Sequence, residues 1–172
     1  MLNGGVPTPP RIILVMGVAG SGKTTIGRAL AAELGWPYFE AESFHSPANR
    51  AKMAGGTPLT DGDRAPWLAA IRARMDECRS HRRNAVFTCS ALKDAYRRVL
   101  LEGADDVGLV YLAGDYQTIL ARVSHRQGHY LKAGLVRSQF DTLEPPRDAL
   151  TINTGKNPPA AVIAQIRQTF GL

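Results

Sequence analysis

The chain contains no run of about 18 apolar residues, the length a helix needs to cross a bilayer, so no membrane span is expected. Cysteine is scarce. The two present, Cys78 and Cys89, form no CxxC and have no histidine at metal-ligand spacing, which excludes a disulfide framework and a zinc site. Both are expected to be buried, reduced thiols. The opening MLNGGVPTPP has neither the basic start nor the apolar middle of a secretory signal. Residues 1–10 are therefore expected to be a flexible leader, and the protein to be cytoplasmic. No internal repeat and no low-complexity tract occurs. Acidic residues are outnumbered, 15 against 21 Lys and Arg, which leaves a net charge of +6. That balance suits nucleic acid and a small anionic ligand equally. Much of the excess lies in RARMDECRSHRR, whose plainest reading is a solvated helix face.

What is present is enough for one core. With 172 residues, 44% of them hydrophobic, the chain is expected to form a single domain over residues 11–172. Apolar, β-branched-rich runs recur at RIILVM, PYFEA, NAVFTC, VGLVYL and ALTINT. Each is followed by a helix-like or loop segment, which predicts an α/β fold with a parallel sheet covered on both faces. Helices are expected at Lys23 to Leu34, Pro47 to Ala54, Arg64 to Ser80, Leu92 to Leu101, Tyr116 to His125 and Pro159 to Phe170. In the third, Trp67, Ile71 and Met75 fall four apart as one apolar stripe, the pattern of a core-facing side, with Trp67 alone left open as a ligand contact. Two stretches read as irregular, MAGGTPLTDGDRAPW and RQGHYLKAGLVRSQFDTLEPP. Long irregular stretches in a small domain are usually lids or binding loops.

The segment Gly17-Val-Ala19-Gly20-Ser21-Gly22-Lys23-Thr24-Thr25 fits G-x-x-x-x-G-K-[ST]. It follows a predicted strand and opens a predicted helix, the context a phosphate-binding loop requires. Glycines let backbone N–H groups turn inward, and the helix start adds partial positive charge, so the loop can wrap a triphosphate. Lys23 would reach the β- and γ-phosphates, and Thr24 would offer its hydroxyl to Mg²⁺. The chain is thus expected to bind ATP. No N-K-x-D follows a later strand, which argues against a guanine-nucleotide switch.

Many nucleotide hydrolases end a strand in an Asp that holds the metal; NAVFTC ends instead at Cys89-Ser90. The carboxylates are expected from FEAESFH, where alternation along a strand would put Glu40 and Glu42 on one side at the sheet's C-terminal edge. Glu40 is expected on the metal side and Glu42 as the base that accepts a hydroxyl proton. The alternative is two exposed acids at a strand end. Arg122 and Arg126, four apart, would share a helix face, an arrangement that favours an anion between them. Arg122 is expected at the nucleotide and Arg126 at the transferring phosphate. QGHYLKAGL, with a glycine at each end, is expected to close as a mobile lid within residues 126–146.

MGVAGSGKTT, FHSPANRAKMAGGTPLTDGDRAPWL, CSALKDAYRRVL and RQGHYLKAGLVRSQFDTLEPP together resemble gluconokinases. These are P-loop kinases that phosphorylate D-gluconate to 6-phosphogluconate with ATP and Mg²⁺. The resemblance runs from about Ile12 to Pro146. It implies a P-loop kinase fold similar to shikimate kinases, with a five-stranded parallel core, a lid and a homodimer. Family members commonly read EGDDLHP where this chain has Glu40-Ala41-Glu42-Ser43-Phe44-His45-Ser46-Pro47, so Glu42 stands where Asp is usual.

A sugar acid needs a cation for its carboxylate and hydrogen-bonding groups for its hydroxyls. At the matching positions Lys52, Arg64, Lys93 and Arg97 are expected to supply the first, and His45, Asp61, Ser90 and His129 the second. Plainer roles stay open: Lys52 and Arg97 as surface charges, His129 as a cap in a lid turn, Asp61 as a helix cap. The base of ATP is expected on loop residues near Arg122 and NTGKNPP, where Lys156 and Pro158 offer a flat, partly apolar surface. Other readings of the function are another small-molecule kinase of this fold, acting on shikimate or another aldonate, or a non-catalytic nucleotide-binding module. No nucleic acid or membrane partner is expected.

Overall fold

The computed structural model describes residues 8–125 and 129–172, without the side chains of 129–133. Residues 1–7 of the expected leader therefore lie outside the described residues. Five strands are present: β1 (Ile12–Met16), β2 (Tyr38–Glu40), β3 (Ala85–Thr88), β4 (Val107–Ala113) and β5 (Leu150–Asn153). They form one sheet in the order β2-β3-β1-β4-β5, with every pairing parallel. The helices are α1 (Lys23–Leu34), α2 (Pro47–Ala54), α3 (Asp61–Ser80), α4 (Asp94–Leu101), α5 (Tyr116–Ser124), α6 (His129–Thr142) and α7 (Pro159–Phe170).

β1 is buried along its whole length, and its alternation divides the core. Ile12, Leu14 and Met16 join Phe87 and the stripe Trp67, Ile71 and Met75 of α3. Ile13 and Val15 face α1 and α7 through Ile26, Leu30, Val162 and Ile166. A sheet coated on both faces needs apolar side chains in both phases, which is why the strands read as continuous apolar runs. The chain leaves β1 first toward β2 and β3 on one side, then toward β4 and β5 on the other. Ligands of open α/β sheets collect beyond the strand ends at such a reversal, and here the phosphate loop lies there.

Two expectations are corrected. α3 begins at Asp61, not Arg64, because Thr60 and Asp63 form a reciprocal capping box. Together with α2 this leaves only residues 55–60 of MAGGTPLTDGDRAPW irregular. The stretch expected as a lid loop is helical over His129–Thr142. Gly134 lies inside that helix, and Gly128 lies outside the described residues. The helix forms because Val136 and Phe140, four apart, with Leu143 just past its end, pack against Val18, Ile119 and Val123, and tertiary packing outweighs a polar, glycine-containing composition.

Candidate active site

The phosphate loop turns through residues 17–22 between β1 and α1. Gly20 has φ +82°, and a Cβ there would come within 2.5 Å of Val123 Cγ2 on α5, so only glycine fits. Gly22 is the left-handed N-cap of α1 and, having no side chain, leaves the first-turn amides of Lys23, Thr24 and Thr25 uncovered. The contrast with α2, α3 and α5 is informative: there Ser46, Thr60 and Asp115 cap the first turn. An uncapped helix start beside a buried cation is suited to an anion. Within the loop the Ser21 hydroxyl is fully buried and meets no partner among the described residues.

Lys23 donates to Val18 O at 2.9 Å. Burial pushes its pKa down, and the charges of Glu42 and Glu40 oppose that shift, as an ionised Cys89 would. Cys89 is itself buried, and its pKa is pushed up to about 12, so it stays a neutral thiol. The ammonium is therefore desolvated and only partly balanced by carboxylates nearby, which favours a phosphate beside it.

The carboxylates arrive differently from the alternation expected. β2 ends at Glu40, and Glu42 lies in the following 3₁₀ turn Ala41–Phe44, so the strand period does not relate them. β2 is also separated from β1 by β3. Contact with the phosphate loop is made through α1, where Thr24 Oγ1 donates to Glu40 Oε1 at 2.8 Å. A hydroxyl and a carboxylate side by side beneath a phosphate site form a donor set suited to Mg²⁺, which takes few protein ligands and keeps phosphate oxygens and water. No group of three or more His, Cys, Asp or Glu gathers among the described residues, and a site of that kind requires none.

Glu42 is held from behind. His45 Nε2 lies 3.4 Å from Glu42 Oε2, the His45 ring stacks on Trp67 at 4.3 Å, and Asn49 Nδ2 approaches His45 Nδ1 at 3.5 Å. Burial lowers the His45 pKa. A neutral ring that accepts at Nδ1 carries its proton on Nε2, which points to Glu42. His45 is only 5% exposed, so it supports Glu42 in place of the expected direct contact with substrate. Trp67 Nε1 also donates to Ala41 O at 2.7 Å and fixes the turn. The sequence pattern did not single out Asn49, and it set Trp67 apart from the core stripe of α3 as a candidate ligand contact.

Two lysines converge on the first turn of α3. Lys52 Nζ lies 2.6 Å from Asp63, and Lys93 Nζ lies 3.0 Å from Asp61. Tyr96 OH donates to Asp61 at 2.5 Å. Tyr96 and Lys93 together hold the Asp61 carboxyl below its usual pKa, so it is an acceptor. Arg64 donates to Leu59 O and its guanidinium lies 5.7 Å from the Tyr96 ring centre. Lys52, Arg64 and Lys93 set three positive charges against Asp61 and Asp63. That excess suits one carboxylate on a polyhydroxy ligand. Tyr96, like Asn49, was not singled out by the sequence.

Arg97 is corrected. It is 5% exposed, donates through Nη1 to the carbonyls of Ala91 and Leu92, and pairs with Asp94. It holds the loop carrying Lys93 and does not join the cluster of Lys52, Arg64 and Lys93. Ser90 precedes that loop directly after β3 and is half-buried. Arg126 lies outside the described residues, and His129 opens α6 with its side chain outside them.

On the other side of the phosphate loop opens a cleft of about 690 Å³ lined by Gly20, Gly22, Arg122, Lys156, Pro158 and Val162 among others. Arg122 donates to Thr154 Oγ1 at 3.0 Å and to Thr154 O. It therefore ties α5 to the loop after β5 at the cleft wall.

A family model described as an AAA domain matches residues 12–146. The gluconokinase of Gluconobacter oxydans (strain 621H) is 42% identical over 165 residues, covering 94% of this chain and 92% of that protein. A probable gluconokinase of Mus musculus is 41% identical over 154 residues, covering 80% and 84%. The crystal structure of a gluconokinase from Sinorhizobium meliloti 1021 superposes with a TM-score of 0.80 at 38% identity, covering 94% of this chain and 96% of that one.

Proposed function

The chain belongs to the gluconokinase family of P-loop kinases, and from that premise we propose that its site phosphorylates D-gluconate with ATP through Lys23, Glu42 and the cluster of Lys52, Arg64 and Lys93 around the first turn of α3. The observation that carries the assignment of residues is the setting of Glu42: His45 approaches it at 3.4 Å, and its charge acts on the desolvated Lys23.

The triphosphate enters the loop with its oxygens on the uncovered amides of Lys23, Thr24 and Thr25, and Lys23, keeping its bond to Val18 O, gives its other N–H groups to the β- and γ-phosphates. The base of the nucleotide rests against Lys156 and Pro158 in the cleft behind Arg122. On the opposite side the carboxylate of the acceptor meets Lys52, Arg64 and Lys93, and Asp61 accepts from its hydroxyls. Glu42 then takes the proton of the terminal hydroxyl as that oxygen bonds to the γ-phosphorus and the bond to the β–γ bridging oxygen breaks, leaving ADP. Thr24, with Glu40 directly or through water, would hold Mg²⁺, which would supply positive charge against the phosphates. Arg126 is assigned to the same phosphates from its four-residue spacing to Arg122, and His129 to the acceptor from the family resemblance. The proposal also carries a homodimer and a cytoplasmic enzyme; no described helix is long and apolar enough to cross a membrane.

A coupled ADP-release assay with gluconate, other aldonates, shikimate and a nucleoside monophosphate tests the acceptor. Gluconate is expected to stimulate release most, and stimulation by shikimate in its place would overturn the assignment. Thr24→Ala removes the hydroxyl beside Glu40 and is expected to raise the Mg²⁺ concentration for half-maximal rate by about 10- to 100-fold. A magnesium titration at saturating ATP reads this, and an unchanged requirement would remove Thr24 from the metal.

A further inference from the structure

The peptide unit between Val18 and Ala19 is gripped at both ends. Its carbonyl accepts from Lys23 Nζ at 2.9 Å and from the Ser21 N–H at 3.2 Å. Its N–H donates to Gln139 Oε1 at 2.6 Å. Gln139 comes from α6, 120 positions along the chain. That part of α6 is anchored: Val136 is fully buried, and Phe140 packs with it against Val18. The same helix end reaches the acceptor side, where Glu144 N donates to Leu92 O at 2.9 Å and Asp94 N donates to Glu144 Oε2 at 2.6 Å.

The partner at Ala19 is chemically selective. A carboxylate there would repel a triphosphate, and a hydrocarbon would leave a part-buried N–H unpaired; a neutral amide oxygen does neither. From this we propose that Gln139 is a positioning residue of the phosphate site. It fixes the plane of the Val18–Ala19 peptide and with it the carbonyl that sets where the Lys23 ammonium rests. The inference deepens the reading of this loop as a triphosphate site and is independent of which acceptor is phosphorylated.

Gln139→Leu and the more pliable Gln139→Met both remove the acceptor while filling its space. Binding of the non-hydrolysable analogue AMP-PNP, measured by calorimetry, is expected to weaken about tenfold in each, the scale of one lost hydrogen bond. Binding of AMP, which lacks the phosphates Lys23 reaches, is expected to stay within about twofold, with a thermal midpoint close to the parent's. Affinity for AMP-PNP unchanged in both variants would overturn the proposal. Equal weakening for AMP and AMP-PNP would overturn it as well, since that is the signature of general disruption. A parent protein that binds AMP-PNP without phosphorylating gluconate would overturn the acceptor assignment alone and leave this test intact.

Discussion

Lys23→Met is expected to lower kcat by about 10²- to 10³-fold, the usual consequence of removing one preorganised donor from developing phosphoryl charge. The magnitude follows from the setting of the ammonium. Burial already lowers its pKa, so water stabilises it poorly, and its interaction with the transferring phosphate is correspondingly strong. The same burial makes Met, with a similar length and no charge, a tolerable replacement in packing. Urea unfolding is therefore expected to give a midpoint near that of the parent, and steady-state assays to give a large loss in kcat. Retention of more than about a tenth of the rate would place the essential cation elsewhere.

The second large effect is expected at Glu42. Glu42→Gln keeps the length of the side chain and its hydrogen bonding to His45 but cannot accept a proton from an alcohol. It is expected to cost about 10²- to 10⁴-fold in kcat with little change in KM for ATP. Glu42→Asp tests the departure from the family pattern. The carboxylate would withdraw by about one bond length, roughly 1.5 Å, and lose its 3.4 Å approach to His45. It keeps the proton-accepting group, so its loss is expected to be smaller than that of Glu42→Gln. If the Gln variant were as active as the parent, Glu42 would have no role as base, and single-turnover measurements would reveal this directly.

How much of this could be read along the chain is decided by where the determining contacts lie. The phosphate loop was legible because motif, strand and helix start are contiguous, and each glycine acts on its own turn. The five strands were legible because a sheet buried on both faces demands unbroken apolar runs. α6 was not. Its inward residues Val136 and Phe140 stand among polar ones, and only Val18, Ile119 and Val123, distant in sequence, make them a face. The start of α3 was misplaced although Thr60 and Asp63 carry a capping signature, because the surrounding Gly and Pro residues dominated the reading.

The candidate site divides in the same way. Side-chain chemistry named Lys23, Glu40, Glu42, Asp61 and Lys93 without showing how they meet. Arg97 looked like a ligand for an anion, yet the fold spends its charge on the carbonyls of Ala91 and Leu92. His45 looked like a hydroxyl partner and proved to be buried against Trp67 behind Glu42. A sequence records which groups can donate, accept or carry charge, but not which of them the fold leaves facing a ligand.

By itself, then, the sequence determined the phosphate loop, the parallel α/β architecture and the family, since these rest on local backbone conformation and on runs of contiguous residues. Only the tertiary structure decided that Glu40 reaches Thr24 across an intervening strand, that Tyr96 joins Asp61, and that Gln139 grips the loop. Those contacts join positions 16, 35 and 120 residues apart, and hydrogen bonds act over about 3 Å of space whatever the separation along the chain.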